Sequence, residues 1–206
     1  MQIGHNLRFA HSGQAGDTYG DLSGMMGHFK DSENKPVACF NAAKSWQTRW
    51  YNSKSTIVTP SSTDSDGCFD QNLYGIADFD NPDAEYVLVK IEDPGFTDYY
   101  VTFNRKAGIN NGTREAADQV TVTRSSLDGG YQKGNSTSDL VAKLGSGDEY
   151  FATIDGKNMT VNVENIGTSS ARVGICSCPS SKSAKTPVRI VYELYLLLQP
   201  TLSCIS

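Results

Sequence analysis

From residue 55 to about residue 176 the chain is a succession of short runs in which apolar and polar residues alternate. The runs fall at 55–58, 73–77, 86–91, 99–103, 119–124, 140–144, 150–154, 159–163 and 171–176. Between them stand turn-forming groups: Asn81-Pro82-Asp83, Asp93-Pro94-Gly95, Asn110-Asn111-Gly112, Asp128-Gly129-Gly130, Gly145-Ser146-Gly147 and Asp155-Gly156-Lys157. Successive side chains of a strand point to opposite faces, so each run can bury one face and wet the other. Many such strands in sequence, broken by tight turns, predict an antiparallel sandwich.

The first 55 residues have a different texture. Residues 3–9 read as the end of a helix, with Ile3 and Leu7 at i and i+4. A glycine-rich loop follows over 13–27. Residues 41–51 form the clearest complete helix. Asn41 is a good N-cap, and Ala42, Ala43, Trp46 and Trp50 make its apolar face. Pro36 precedes it and the polar cluster 52–55 ends it. The predicted class is α+β, with an α-containing unit over 1–55, a β-sandwich-like domain over 56–178 and an atypical tail over 179–206. The tail begins Ser/Lys-rich and ends apolar, and reads as disordered or as a run-on of the reading frame.

Charge and composition exclude some functions. The net charge is −5 and there is no basic patch of the kind nucleic-acid binding needs. The longest apolar run, 190–198, is interrupted by Glu193 and is shorter than the ~20 residues of a transmembrane helix. No signal peptide is expected, since Met1 leads directly into Gln2-Ile3-Gly4. Yet glycosylation sequons occur at Asn111, Asn135 and Asn158, which favours secretory ancestry. Of the five cysteines, at least one is unpaired in a monomer. A Cys39–Cys68 bridge is open to the chain, although spacing alone does not establish it.

The chemistry-bearing residues lie near the start. His5 and His11 stand six apart, and Met25-Met26-Gly27 follows. A catalytic zinc takes three protein ligands and keeps one position for water. Two histidines at i and i+4 of a helix share a face, and a third must come from a sharp turn just beyond. A glutamate beside the first histidine takes a proton from the zinc-bound water. This pattern resembles the metzincin metallopeptidase signature, H-E-x-x-H-x-x-G-x-x-H followed by a Met-turn, entered partway through. In that alignment His5 is the second ligand and His11 the third, while Met25 and Met26 supply the turn. Met1 stands where the first histidine belongs, Gln2 at the general-base position and Arg8 at the glycine. A thioether is a poor zinc ligand, and Gln2 cannot accept the proton. Arg8 in a left-handed conformation costs on the order of 1 kcal/mol. His28, just past the turn, is an alternative metal ligand or a plain loop histidine.

The wording around these residues is similar to one metzincin branch. Tyr19-Gly20-Asp21 with Ser23 and Met25-Met26-Gly27, then Cys39-Phe40-Asn41 with Lys44-Ser45-Trp46-Gln47 and Trp50-Tyr51, resemble gametolysin-type metallopeptidases. So do residues 99–106, 108–113, 118–120 and 140–144. That resemblance, covering about residues 3–175, implies a secreted zinc metalloendopeptidase acting on extracellular-matrix or cell-wall glycoproteins. It implies an extracellular location and glycoprotein partners. With Met1 and Gln2 in place of the first ligand and the base, the chain reads as a truncated, catalytically impaired remnant. The family's upper subdomain precedes the zinc helix, so Ile3, Leu7 and Phe9 are expected to lose a packing partner and be partly exposed. The alternatives are a non-catalytic sandwich that recognises glycoprotein through exposed Tyr99, Tyr100 and Tyr131, and a fragment without function.

Overall fold

The computed structural model describes residues 2–27, 37–63, 68–95, 97–125 and 136–178. Met1, His28, Pro36, Tyr131, Asn135 and the tail 179–206 lie outside the described residues. The elements run α1 (Gln2–Asn6), β1 (Ser12–Gly13), α2 (Ala42–Thr48), β2 (Ser55–Val58), β3 (Phe69–Tyr74), β4 (Leu88–Ile91) and β5 (Asp98–Phe103). They continue with β6 (Val120–Ser125), β7 (Ser138–Leu144), β8 (Glu149–Ile154), β9 (Lys157–Ile166) and β10 (Ser170–Cys178).

Two sheets carry the fold: one of six strands in the order β1-β7-β6-β5-β4-β2, the other of four in the order β3-β10-β9-β8. The smaller sheet is antiparallel throughout. The larger one departs from the expected all-antiparallel pattern at both edges. There β1 runs parallel to β7, and β2 parallel to β4. A parallel neighbour needs a long crossover, and between β2 and β4 the chain leaves this sheet to form β3 of the smaller one.

Alternation assigns the faces. Val101 and Phe103 of β5, with Val120 and Val122 of β6, point between the sheets. They meet Met159, Val161, Val173 and Ile175 from the smaller sheet in one buried cluster. Each such fully buried aliphatic side chain contributes about 1.5–3 kcal/mol. The opposite face of the larger sheet carries Leu88 and Tyr100, and α2 lies over it with Ala42 and Ala43 fully buried. The architecture is therefore three-layered, helix on sheet on sheet. The segments on either side of residue 55 share it, through the β1–β7 pairing and the packing of α2 on Tyr100 and Leu88.

The helix-facing side of the sheet is polar as well as apolar. Lys90 lies 2.9 Å from both Asp98 and Glu92 and 5.9 Å from the centre of the Trp46 ring. Burial works against its ammonium, but the two carboxylates outweigh that and raise its pKa. Asn41 caps α2 as expected, accepting from the Lys44 N–H at 3.0 Å. The helix ends earlier than its apolar stripe predicts, because Arg49 turns left-handed at φ 59. Trp50 then leaves the stripe and is 58% exposed.

The disulfide joins Cys68 to Cys176, not to Cys39. The pairing of β3 with β10 sets Phe69 opposite Ile175, which brings the preceding and following cysteines together. Cys39 is a free thiol whose pKa burial raises to about 12. No helix among the described residues is long and apolar enough to cross a membrane.

Candidate metal centre

The site is built by the way α1 stops. The Phe9 N–H reaches back to the Gly4 carbonyl at 2.9 Å and the Arg8 N–H to the His5 carbonyl at 2.9 Å. These are the two bonds of a Schellman motif, which requires a left-handed residue between them. Arg8 supplies it, at φ 62. A non-glycine residue there costs roughly 1–2 kcal/mol, so the surrounding contacts must hold the turn.

The reversal carries His11 back against His5. Their Nε2 atoms lie 3.2 Å apart, with the rings edge to face at 83°. His5 donates its Nδ1 hydrogen to the Phe9 carbonyl at 2.9 Å, which puts the lone pair of the neutral ring on Nε2, within hydrogen-bonding distance of His11 Nε2. His11 packs against the Tyr19 ring at 4.3 Å. Burial, then the neighbouring His5 and Lys44, lower the pKa of His11, which favours a neutral imidazole.

The methionine turn abuts the neighbours of both histidines, Gly4 through the Met26 side chain and Ser12, whose N–H donates to the Met26 carbonyl at 3.0 Å. Met26 is 1% exposed and packs with Phe9 and Phe40. Its sulfur occupies the space that a side chain at Gly4 would need: a Cβ there would sit 2.2 Å from Met26 Sδ. A side chain at this helix position would have to displace the buried Met26 sulfur. Met25 is half-buried at the edge of the same cluster. Phe9 is 2% exposed, contrary to the expectation that it lacks a partner, because Phe40 packs edge to face on it at 4.9 Å. Leu7 is half-buried on the same cluster.

The turn is tied to the sandwich by a buried polar hub. Asp21 is fully buried and accepts from the Ser23 N–H at 3.0 Å, the Ser23 hydroxyl at 2.5 Å and Asn41 Nδ2 at 2.8 Å. Asn41 Nδ2 also donates to the hydroxyls of Ser12 and Ser138, each at 3.0 Å. Burial raises the Asp21 pKa, against the hydrogen bonds. Lys44, also fully buried, donates to the Ser136 carbonyl at 2.7 Å. Its pKa falls to about 8, through burial and against the pull of Asp21. Gly27 is indispensable here, since a Cβ would meet the Asp21 carbonyl at 1.6 Å.

The donor set suits a metal in part. Zinc–nitrogen bonds of about 2.0–2.1 Å and the observed 3.2 Å separation correspond to an N–metal–N angle of about 100–105°, near tetrahedral. Two ligands are thus preset. Among the described residues no group of three or more His, Cys, Asp or Glu side chains converges to complete the set. Gln2 opens α1, while its side chain and His28 lie outside the described set. Of the other predicted sites, Asn111 and Asn158 are exposed and Asn135 is outside the described residues. Tyr100 offers no surface for glycoprotein, because it is fully buried with its hydroxyl donated to Asp98 at 3.3 Å. Tyr99 is half-buried.

Sequence reasoning did not single out Gly4, Asn41 as a hub, or Lys44. Gly4 carried a signal, as the residue just before a helical histidine with a methionine turn downstream. Comparison of the chain with protein-family models, with curated proteins and with solved structures found no match.

Proposed function

We propose that this chain carries the downstream half of a metzincin-type zinc site, of the gametolysin kind, in which His5 and His11 hold the metal above the Met25–Met26 turn. The approach of two imidazole nitrogens to 3.2 Å across a left-handed helix stop, with a buried methionine packed against Gly4 of the same helix, is the observation that supports it. Bound zinc would act as a Lewis acid on water or a carbonyl. In this chain His5 and His11 bind and orient it, Phe9 and Tyr19 hold their rings, and Met26 closes the floor. Gln2, at the general-base position, has no carboxylate to accept a proton, so the chain as written binds metal without hydrolysing peptide. On this reading its relatives are secreted zinc endopeptidases of matrix or cell-wall glycoproteins, and the chain itself is an impaired, extracellular member.

The test restores the missing groups. Met1→His and Gln2→Glu are introduced together, with a start methionine placed before position 1. Position 1 stands four residues before His5, the spacing of the first two ligands in the family's signature. Zinc should then survive dialysis at one ion per chain, and a matrix glycoprotein should be cleaved in a chelator-sensitive way. Loss of zinc on dialysis from the restored chain would refute the proposal.

A further inference from the structure

We infer that the end of the larger sheet beside β1 carries a binding groove for a neutral saccharide. The site goes beyond the metal reading and does not depend on it. Strand register builds it. Tyr99 pairs with Arg124, Arg124 with Asp139 and Asp139 with Gly13, so the four stand in one row across β5, β6, β7 and β1. Paired residues share a face of the sheet, and three strand spacings make the row about 14 Å long. On the same face of β6, Val120 and Val122 are buried in the sandwich core whereas Arg124 is exposed. The row therefore lies where the sheet runs out past the core. Two open cavities flank Asp139. One, of about 250 Å³, is lined by Thr97, Arg124, Ser125, Thr137 and Asp139. The other, of about 100 Å³, shares Thr137 and Asp139 and adds Gly13, Asp17 and Thr18. A Cβ at Gly13 would press on Asp139 Oδ1 and on the Asp17 carbonyl, each at 2.8 Å, so glycine keeps this end of the row clear.

The chemistry of the lining selects the ligand. The Arg124 guanidinium only donates, the Asp139 carboxylate only accepts, and the Thr97 and Thr137 hydroxyls do both. A sugar hydroxyl also donates and accepts, so neighbouring hydroxyls of one ring can answer each of them. Arg124 and Asp139 lie 3.6 Å apart and offset each other's charge, while nearly half of each side chain stays open to further partners. With Asp17 beside them the groove repels an anion, and the guanidinium at its centre repels a cation. The Ser125 hydroxyl donates to the Thr137 carbonyl at 2.9 Å and holds that wall in place. At the Arg124 end Tyr99 and Tyr150 stand half-buried with ring centres 6.3 Å apart, and give apolar ring surface to the C–H face of a sugar.

The test uses the full chain stripped of metal with chelator. Its backbone amides are followed by nuclear magnetic resonance while mannotriose, galactotriose, xylotriose and arabinotriose are added in separate titrations. Each runs to about 10 mM, which fills about nine-tenths of a site whose Kd is near 1 mM. The inference predicts that at least one of them shifts Gly13, Arg124, Thr137 and Asp139 together and saturably. Arg124→Ala and Asp139→Ala remove a half-exposed ion pair and should keep the far-ultraviolet spectrum of the wild type. Each should weaken that saccharide about tenfold, the worth of one charge-assisted hydrogen bond. Galactose 6-sulfate should bind no better than galactose, and tighter binding of the sulfate would overturn the assignment to a neutral ligand. No shift at the groove with any of the trisaccharides, or shifts that persist unchanged in both variants, would overturn the site. Neither zinc nor the histidine pair enters the measurement, so its failure leaves the metal-site reading where it stood.

Discussion

Asn41→Ala should be among the most damaging single changes outside the sandwich core, and its cost can be worked out bond by bond. The side chain caps α2 through its oxygen and serves Asp21, Ser12 and Ser138 through its nitrogen. Loss of an N-cap costs about 1 kcal/mol. The hydrogen bond to Asp21 reaches a fully buried carboxyl group, for which about 1.5–3 kcal/mol is typical when the group is charged. Some solvation or rearrangement of the two serine hydroxyls recovers a little, so a net loss of about 2–4 kcal/mol follows. Urea unfolding at pH 7, followed by tryptophan fluorescence, measures it. The companion Asn41→Asp keeps an oxygen for the cap but sets a second carboxyl group against Asp21. Two carboxyl groups in one buried site cannot both ionise cheaply. Asn41→Asp should therefore be less stable than wild type at pH 7 and recover part of the difference as the pH falls toward 5. A loss below about 1 kcal/mol for Asn41→Ala, or an Asn41→Asp deficit that does not change with pH, would refute the claim that this hub ties the methionine turn to the sheet.

Other consequences are as direct. The pKa of Lys44 lies below that of an unfolded lysine, 10.5 lowered to about 8, so its buried charge carries a penalty of about 3 kcal/mol at neutral pH. The penalty is complete below pH 8 and is relieved between about 8 and 10.5, where the folded chain gives up the proton first. Wild type should therefore gain stability relative to Lys44→Met as the pH rises from 8 to 10, and parallel unfolding curves across that range would contradict it. The Cys68–Cys176 bridge spans 108 residues, and its removal by paired serine substitutions should lower stability by about 2–4 kcal/mol in calorimetry. Gly4→Ala drives a methyl group into Met26, and should lower zinc affinity in a calorimetric titration by shifting α1 and His5 with it, although both histidines are retained.

The sandwich was legible because its outer strands bury alternate residues, and period two survives in runs such as Met159 to Val163. It was least legible where that rule fails. β1 is only Ser12 and Gly13, polar and small, buried because it slots in beside β7. The parallel edges leave no mark in the periodicity, since alternation is blind to strand direction. Thr102, Thr121 and Thr123 look solvent-facing in sequence but are buried, because α2 covers that side. At the site, His5, His11 and the methionine pair were readable from spacing. The disulfide partner of Cys68 and the Asn41 hub depend on residues roughly a hundred positions away and needed the fold.

The central claim is that His5 and His11 share a metal through their Nε2 atoms. Its most direct test is a zinc titration followed by nuclear magnetic resonance of the histidine ring nitrogens. The account predicts that both Nε2 signals shift together and saturate, with the His5 proton staying on Nδ1 toward the Phe9 carbonyl. Zinc that saturates the protein while leaving either Nε2 unmoved would contradict it.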